Sequence, residues 1–128
     1  MKKIIQLILI SMLMMLAGPA WSDSAVHILS CQQDDDTSDA KVESISAEWL
    51  KAAKGIKGGE NLELYLNFPV AAKAGEVDFL IILVAPSFGE WGMFMDNYVG
   101  SPAEAFDEKH GDDMDCGDGS LWESVAIK

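Results

Sequence analysis

The sequence predicts an α+β domain: a four-stranded antiparallel sheet with two helices packed on one face. Three observations carry this. Residues 77–86, VDFLIILVAP, form a nearly unbroken run of β-branched and apolar residues, which as a strand wants burial on both faces. Pro86 ends the run, and SFGEWGMFMDNY follows with Ser87 and Glu90 at capping-box spacing. Phe88, Trp91, Met95 and Tyr98 then recur at helical steps, with Phe94 on the flank. Along the whole chain the patterns read strand, helix, strand, strand, helix, strand, the order of two joined βαβ units.

In chain order, AVHILS (25–30) reads as a short strand with Cys31 at its end, and QQDDDTSD (32–39) as an acidic loop and helix cap. From Lys41 to Ile56, Val42, Ile45, Trp49, Ala52, Ala53 and Ile56 keep a helical period, and Gly58 and Gly59 stop it. LELYLNF (62–68) alternates: Leu62, Leu64, Leu66 and Phe68 face one way, Glu63, Tyr65 and Asn67 the other. Residues 69–76 connect to the central strand. After the aromatic helix, Gly100, Ser101 and Pro102 break the pattern, residues 103–120 read as acidic and irregular, and LWESVAI (121–127) closes the domain as a strand.

Residues 1–22 stand apart. Lys2 and Lys3 precede an apolar run from Ile4 to Leu16, followed by Ala17, Gly18, Pro19 and Ala20. This is the pattern of a secretory signal peptide, and the run is short for a membrane span. The expectation is a periplasmic or secreted protein, residues 23–128 forming one domain that is not held in the membrane once the leader is removed.

The formal charge is −12, and without Lys2 and Lys3 it becomes −14; arginine is absent. Nucleic acid needs a basic footprint that this chain lacks. The usual bidentate clamp for carboxylates and phosphates is missing as well.

The element order is the ferredoxin-like one. Its helices cover a single face, so the off-face residues Glu63, Tyr65 and Asn67 need another cover, which a second copy of the chain would supply. On element order, element lengths and the join APSFGEWGMFMDNY, the chain resembles the dimeric α+β barrel superfamily, most of all the antibiotic-biosynthesis-monooxygenase-type and stress-responsive barrel domains. The resemblance spans about residues 25–127 and includes no catalytic motif. It implies a homodimer with a cavity between sheet and helices, where superfamily members bind haem, quinone-like substrates or small organic molecules.

Cys31 and Cys116 are the only cysteines, and in an exported chain a disulfide is the default. In a ferredoxin-like sheet the first and last strands are antiparallel neighbours. The end of strand one, at Cys31, therefore lies beside the start of the last strand, and Cys116 stands five residues before Leu121.

Candidate site residues are few. His27 lies opposite in facing to Val26 and Ile28; pointing with Tyr65 and Glu63 into a cavity, it would serve as a base, a proton shuttle or an axial haem ligand. The bland reading is a hydrogen-bonded core or interface histidine. Trp91, Phe94 and Met95, with Glu63 and Asn67, are the candidate ligand-pocket residues, although core packing explains such a helix equally. Among the acidic residues 107–118, His110, Asp113 and Asp115 are candidate divalent-metal ligands. The EF-hand pattern fails, because Gly117 stands where a ligand belongs and Asp118 where the glycine belongs. A solvated acidic loop is the simpler account.

Two functions follow: an exported homodimeric scaffold or binder of a small hydrophobic ligand, with no cofactor assigned, and alternatively a cofactor-independent or haem-dependent monooxygenase-like enzyme acting on a small organic molecule.

Overall fold

A computed structural model of the chain describes residues 23–71, 77–117 and 119–127. The expected leader, residues 1–22, lies outside them, as does Asp118. The elements are β1 (Ser24–Gln33), α1 (Asp39–Ala53), β2 (Glu63–Asn67), β3 (Phe79–Ala85), α2 (Phe88–Asp96), α3 (Pro102–His110), β4 (Met114–Cys116) and β5 (Ser120–Ser124). The sheet is antiparallel in the order β2-β3-β1-β4, with β5 pairing β1 along the same edge as β4. This is the ferredoxin-like order.

The expected barrel is corrected. The sheet is open, with β2 forming one edge and β4 and β5 the other, and among the described residues no pairing joins them. Both outer positions are short strands of five residues or fewer, so neither extends round to meet the other.

The helices start where local chemistry predicts. Ser38 caps α1 by accepting from the Lys41 N–H at 3.3 Å. Ser87 caps α2 by accepting from the Glu90 N–H at 3.1 Å, the expected capping pair. Val42, Ile45, Trp49 and Ala53 of α1 and Trp91 and Phe94 of α2 turn inward. All of these but Ile45 join one core cluster with the sheet residues Ala25, Cys31, Phe79, Ile81, Leu83 and Ala85. Gly58, at φ 90°, ends the turn after α1 beside α2; a Cβ there would stand 2.8 Å from the Glu90 carbonyl oxygen.

The central strand is buried on alternate residues rather than on both faces. Phe79, Ile81, Leu83 and Ala85 are buried, whereas Leu80, Ile82 and Val84 are half-buried. The helices lie on one side only, so the other side of this apolar strand stays partly open.

Helix α3 stands where irregular chain was expected. Ser101 accepts from the Glu104 N–H at 3.3 Å, the Glu104 carboxylate accepts from the Gly100 N–H at 2.6 Å, and Pro102 occupies the first turn. Ala103 anchors it in the core, and it packs along α1.

Cys31 and Cys116 form a disulfide, directly opposite one another in the β1–β4 ladder with Cα atoms 4.0 Å apart. Beyond them the edge slips by one residue. Three steps along β1, from Cys31 to Ile28, answer to four steps along the edge, from Cys116 to Ser120, where pairing resumes. This is a β-bulge, and Gly119 within it lies over the His27 ring.

Among the described residues, no helix is long and apolar enough to cross a membrane.

Candidate functional site

A cavity of about 320 Å³ lies between the helix-bearing face of the sheet and helices α1 and α3. Its walls divide by chemistry. The sheet supplies Leu29, Leu64, Ile81, Leu83, Met114 and the Cys116 end of the disulfide. The helices supply four residues with polar atoms: Ser46 and Trp49 from α1, Asp107 and His110 from α3. An apolar floor under a roof carrying a few polar groups is the common form of a small-molecule site.

Sequence periodicity explains the floor. Leu29, Leu64, Ile81 and Leu83 share a face because register sets Leu29 opposite Ile81 and Leu64 opposite Leu83. The roof depends on the pairing of α1 with α3. Ser46 and Trp49 are one turn apart on the buried side of α1, and Asp107 and His110 are one turn apart on α3.

The roof groups are tied to one another unevenly. His110 Nδ1 lies 2.8 Å from Asp113 Oδ2, and the other Asp113 oxygen accepts from Lys41 of α1. Lys41 first, and then His110, holds the Asp113 carboxyl below its usual range. An ionised carboxylate only accepts, so Nδ1 carries a proton, and in the neutral ring Nε2 is the free lone pair. The Phe106 ring packs on His110 at a centroid distance of 4.5 Å. Partial burial pushes the Asp107 carboxyl up, the neighbouring Trp49 indole offsets this in part, and the Tyr98 hydroxyl donates to the same carboxyl. Ser46 Oγ and Trp49 Nε1 are buried and make no hydrogen bond of normal geometry.

The residues singled out from sequence fall elsewhere. His27 is on the helix-bearing face, edge-on to Trp91 with ring centroids 4.9 Å apart, and burial pushes its imidazole down. Tyr65 and Glu63 are on the open face, where the Tyr65 hydroxyl donates to Glu63 and that carboxylate raises the phenol. His27 and Tyr65 therefore do not meet. Glu63 and Asn67 are exposed, Trp91 and Phe94 are core residues, and Met95 is exposed; none of them lines the cavity. His27 also gives haem iron no place to bind, since Nδ1 is buried and Nε2 lies against Gly119.

The metal candidates separate too. His110 and Asp113 meet, but Asp115 pairs with Gln32, an exposed residue of the open face, and so points away from them. Among the described residues no three His, Cys, Asp or Glu side chains group as metal ligands.

Sequence reading did not single out Ser46, and it did not bring Trp49, Asp107 and His110 to one cavity, because it gave α3 no helix to carry Asp107 and His110. The signal was present in Ser101-Pro-Ala-Glu104, a capping box with proline at its first helical position.

No family model matches the chain, and no curated protein matches it either. Among solved structures it is similar to chlorite dismutase from Candidatus Nitrospira defluvii in complex with imidazole, at 13% identity and a TM-score of 0.44. The similarity covers 84% of this chain and 42% of that one. A mutant of that enzyme gives 15% identity, a TM-score of 0.41 and the same coverage. The chain thus spans less than half the length of these proteins. Likenesses this distant transfer no residue role and no activity to it.

Proposed function

We propose that this protein binds a small apolar molecule in the cavity between α1, α3 and the sheet. One observation carries the reading: the cavity is apolar on its sheet side and bears polar groups only on its helix side. A void of about 150 Å³ lined by aliphatic side chains is enough to take up benzene, so the larger volume here admits a one-ring molecule with a substituent. The absence of arginine and the charge of −12 disfavour an anion. The leader-like residues 1–22 support export to a periplasmic or extracellular setting. The half-buried Leu80, Ile82 and Val84 support a second copy of the chain as cover for the open face.

The test is a ligand-observed NMR titration with ethylbenzene. Saturable binding that disappears in a cavity-filling Leu64→Phe variant, with near-UV circular dichroism retained, is the expected result. Equal binding by both proteins would place the ligand elsewhere.

A second reading, an enzyme acting on such a molecule, is favoured by the His110–Asp113 pair. A histidine whose Nδ1 is held by a carboxylate is oriented for proton transfer at Nε2. In this reading His110 is the base, in place of His27 and Tyr65. Substitution His110→Gln that removes turnover and spares ligand binding would distinguish an enzyme from a carrier.

A further inference from the structure

The cavity holds two buried polar side chains that make no hydrogen bond of normal geometry. Ser46 is 3% exposed and Trp49 is 8% exposed. Both line the cavity; among the described residues Ser46 Oγ has no hydrogen-bond partner, and Trp49 Nε1 has only the Asp107 carboxylate nearby, without a hydrogen bond of normal geometry. A buried hydroxyl or indole N–H left unbonded costs about 1–3 kcal/mol, and folded proteins keep few such groups. Neither side chain is required there by the helix. Both positions lie on the inward stripe of α1 with Val42, Ile45 and Ala53, where apolar residues would serve the core at lower cost.

The chemistry of the two groups is specific. The indole N–H donates only, and the hydroxyl both donates and accepts. An oxygen with two lone pairs, such as a carbonyl, satisfies both donors at once. The remaining wall excludes other classes. No lysine lines the cavity and the chain has no arginine, so a carboxylate or phosphate would be buried without a counter-charge. Asp107 would add repulsion when ionised. A pure hydrocarbon would fit the floor of Leu29, Leu64, Ile81 and Leu83 and leave both donors unbonded.

Resting on the ligand-binding reading above, we infer that the ligand is a small neutral carbonyl compound, its apolar body on the sheet and its oxygen bonded to Ser46 and Trp49. A ligand of this class removes the burial cost of two donors and is recognised by doing so. Water in the same place would relieve the donors too, and the test separates the two cases.

Three one-ring probes of similar size answer this: acetophenone, ethylbenzene and benzoate. Affinities are measured by NMR titration of the oxidised protein, and the Trp49 indole N–H resonance, assigned with Trp49→Phe, is followed throughout. Acetophenone is expected to bind about tenfold more tightly than ethylbenzene, the scale of one or two recovered hydrogen bonds. It should also move the indole resonance downfield. Ser46→Ala should weaken acetophenone more than ethylbenzene, and so should Trp49→Phe, which keeps an aromatic side chain.

Equal affinity for acetophenone and ethylbenzene, with an unmoved indole resonance, would overturn the inference, assign the donors to an ordered water and leave the ligand-binding reading intact. Tighter binding of benzoate would overturn the neutral class. Failure of both ethylbenzene and acetophenone to bind would overturn the ligand-binding reading itself.

Discussion

His27 and Tyr65 occupy opposite faces of one sheet, because β1 sets His27 against Leu83 and β2 sets Tyr65 against Ile82, consecutive residues of β3. Successive strand residues point to opposite sides, so no side-chain rotation brings these two groups together. One face carries the cavity under α1 and α3. The other carries Tyr65, 51% exposed, and Trp122, 58% exposed, on a half-buried apolar ground of Val26, Ile28, Ile82 and Val84.

The first prediction follows from that separation. Tyr65→Phe should leave ethylbenzene affinity within about twofold and change stability by no more than about 0.5 kcal/mol, as exposed substitutions do. A urea titration and the NMR binding assay measure both. A large loss of affinity would mean that the open face, not the cavity, holds the ligand.

Gly119 and His27 should be energetically coupled. A Cβ on Gly119 would enter the space of His27 Nε2 and lie 2.8 Å from Leu29 Cδ2. Gly119→Ala should therefore cost about 1–3 kcal/mol through overpacking. His27→Ala in the same chain should recover part of that loss in a double-mutant cycle measured by urea unfolding. Additive effects would show that the ring does not rest on the bulge.

Reduction of the Cys31–Cys116 bridge should lower stability by up to about 4.6 kcal/mol for its 85-residue separation. It should weaken ethylbenzene as well, because Cys116 belongs to the cavity wall and anchors β4 just after α3. Affinity measured before and after dithiothreitol treatment checks this, with near-UV circular dichroism reporting the fold.

Stability should fall with acid in two limbs. Burial lowers the His27 imidazole below 6.5, so the unfolded chain takes its proton first. Its contribution is complete above about 6.5 and declines as pH falls through the lowered folded value. Asp113 is held low by Lys41 and then His110, so its contribution is complete above about 3.9 and declines as pH falls through its lowered value. Asp107, raised by burial, works in the opposite sense over the carboxylate range. Thermal midpoints taken from pH 8 to 2 should show the upper limb removed by His27→Gln and the lower one reduced by Asp113→Asn.

Much of the frame was legible in the residues. The alternation from Leu62 to Phe68, the Ser87–Glu90 cap and the paired cysteines each act within a few residues or follow from strand order, and each has its expected place. The site was not legible, for two physical reasons. The acidic composition of residues 103–120 concealed a helix start whose signal is only four residues long, and without α3 the cavity has no roof. Barrel closure depends on the reach of β2, β4 and β5, which periodicity does not report. His27 has the facing opposite to Val26 and Ile28 that alternation requires, but which face the helices cover is decided by packing, and that placed it away from Tyr65.

The most direct test of the ligand-binding account is a methyl-resolved NMR map of ethylbenzene binding, because the two faces carry different methyl groups. The account predicts saturable shifts at Leu29, Leu64, Ile81 and Leu83, with Val26, Ile28, Ile82 and Val84 unmoved. Shifts confined to the second group, or none that saturate, would contradict it.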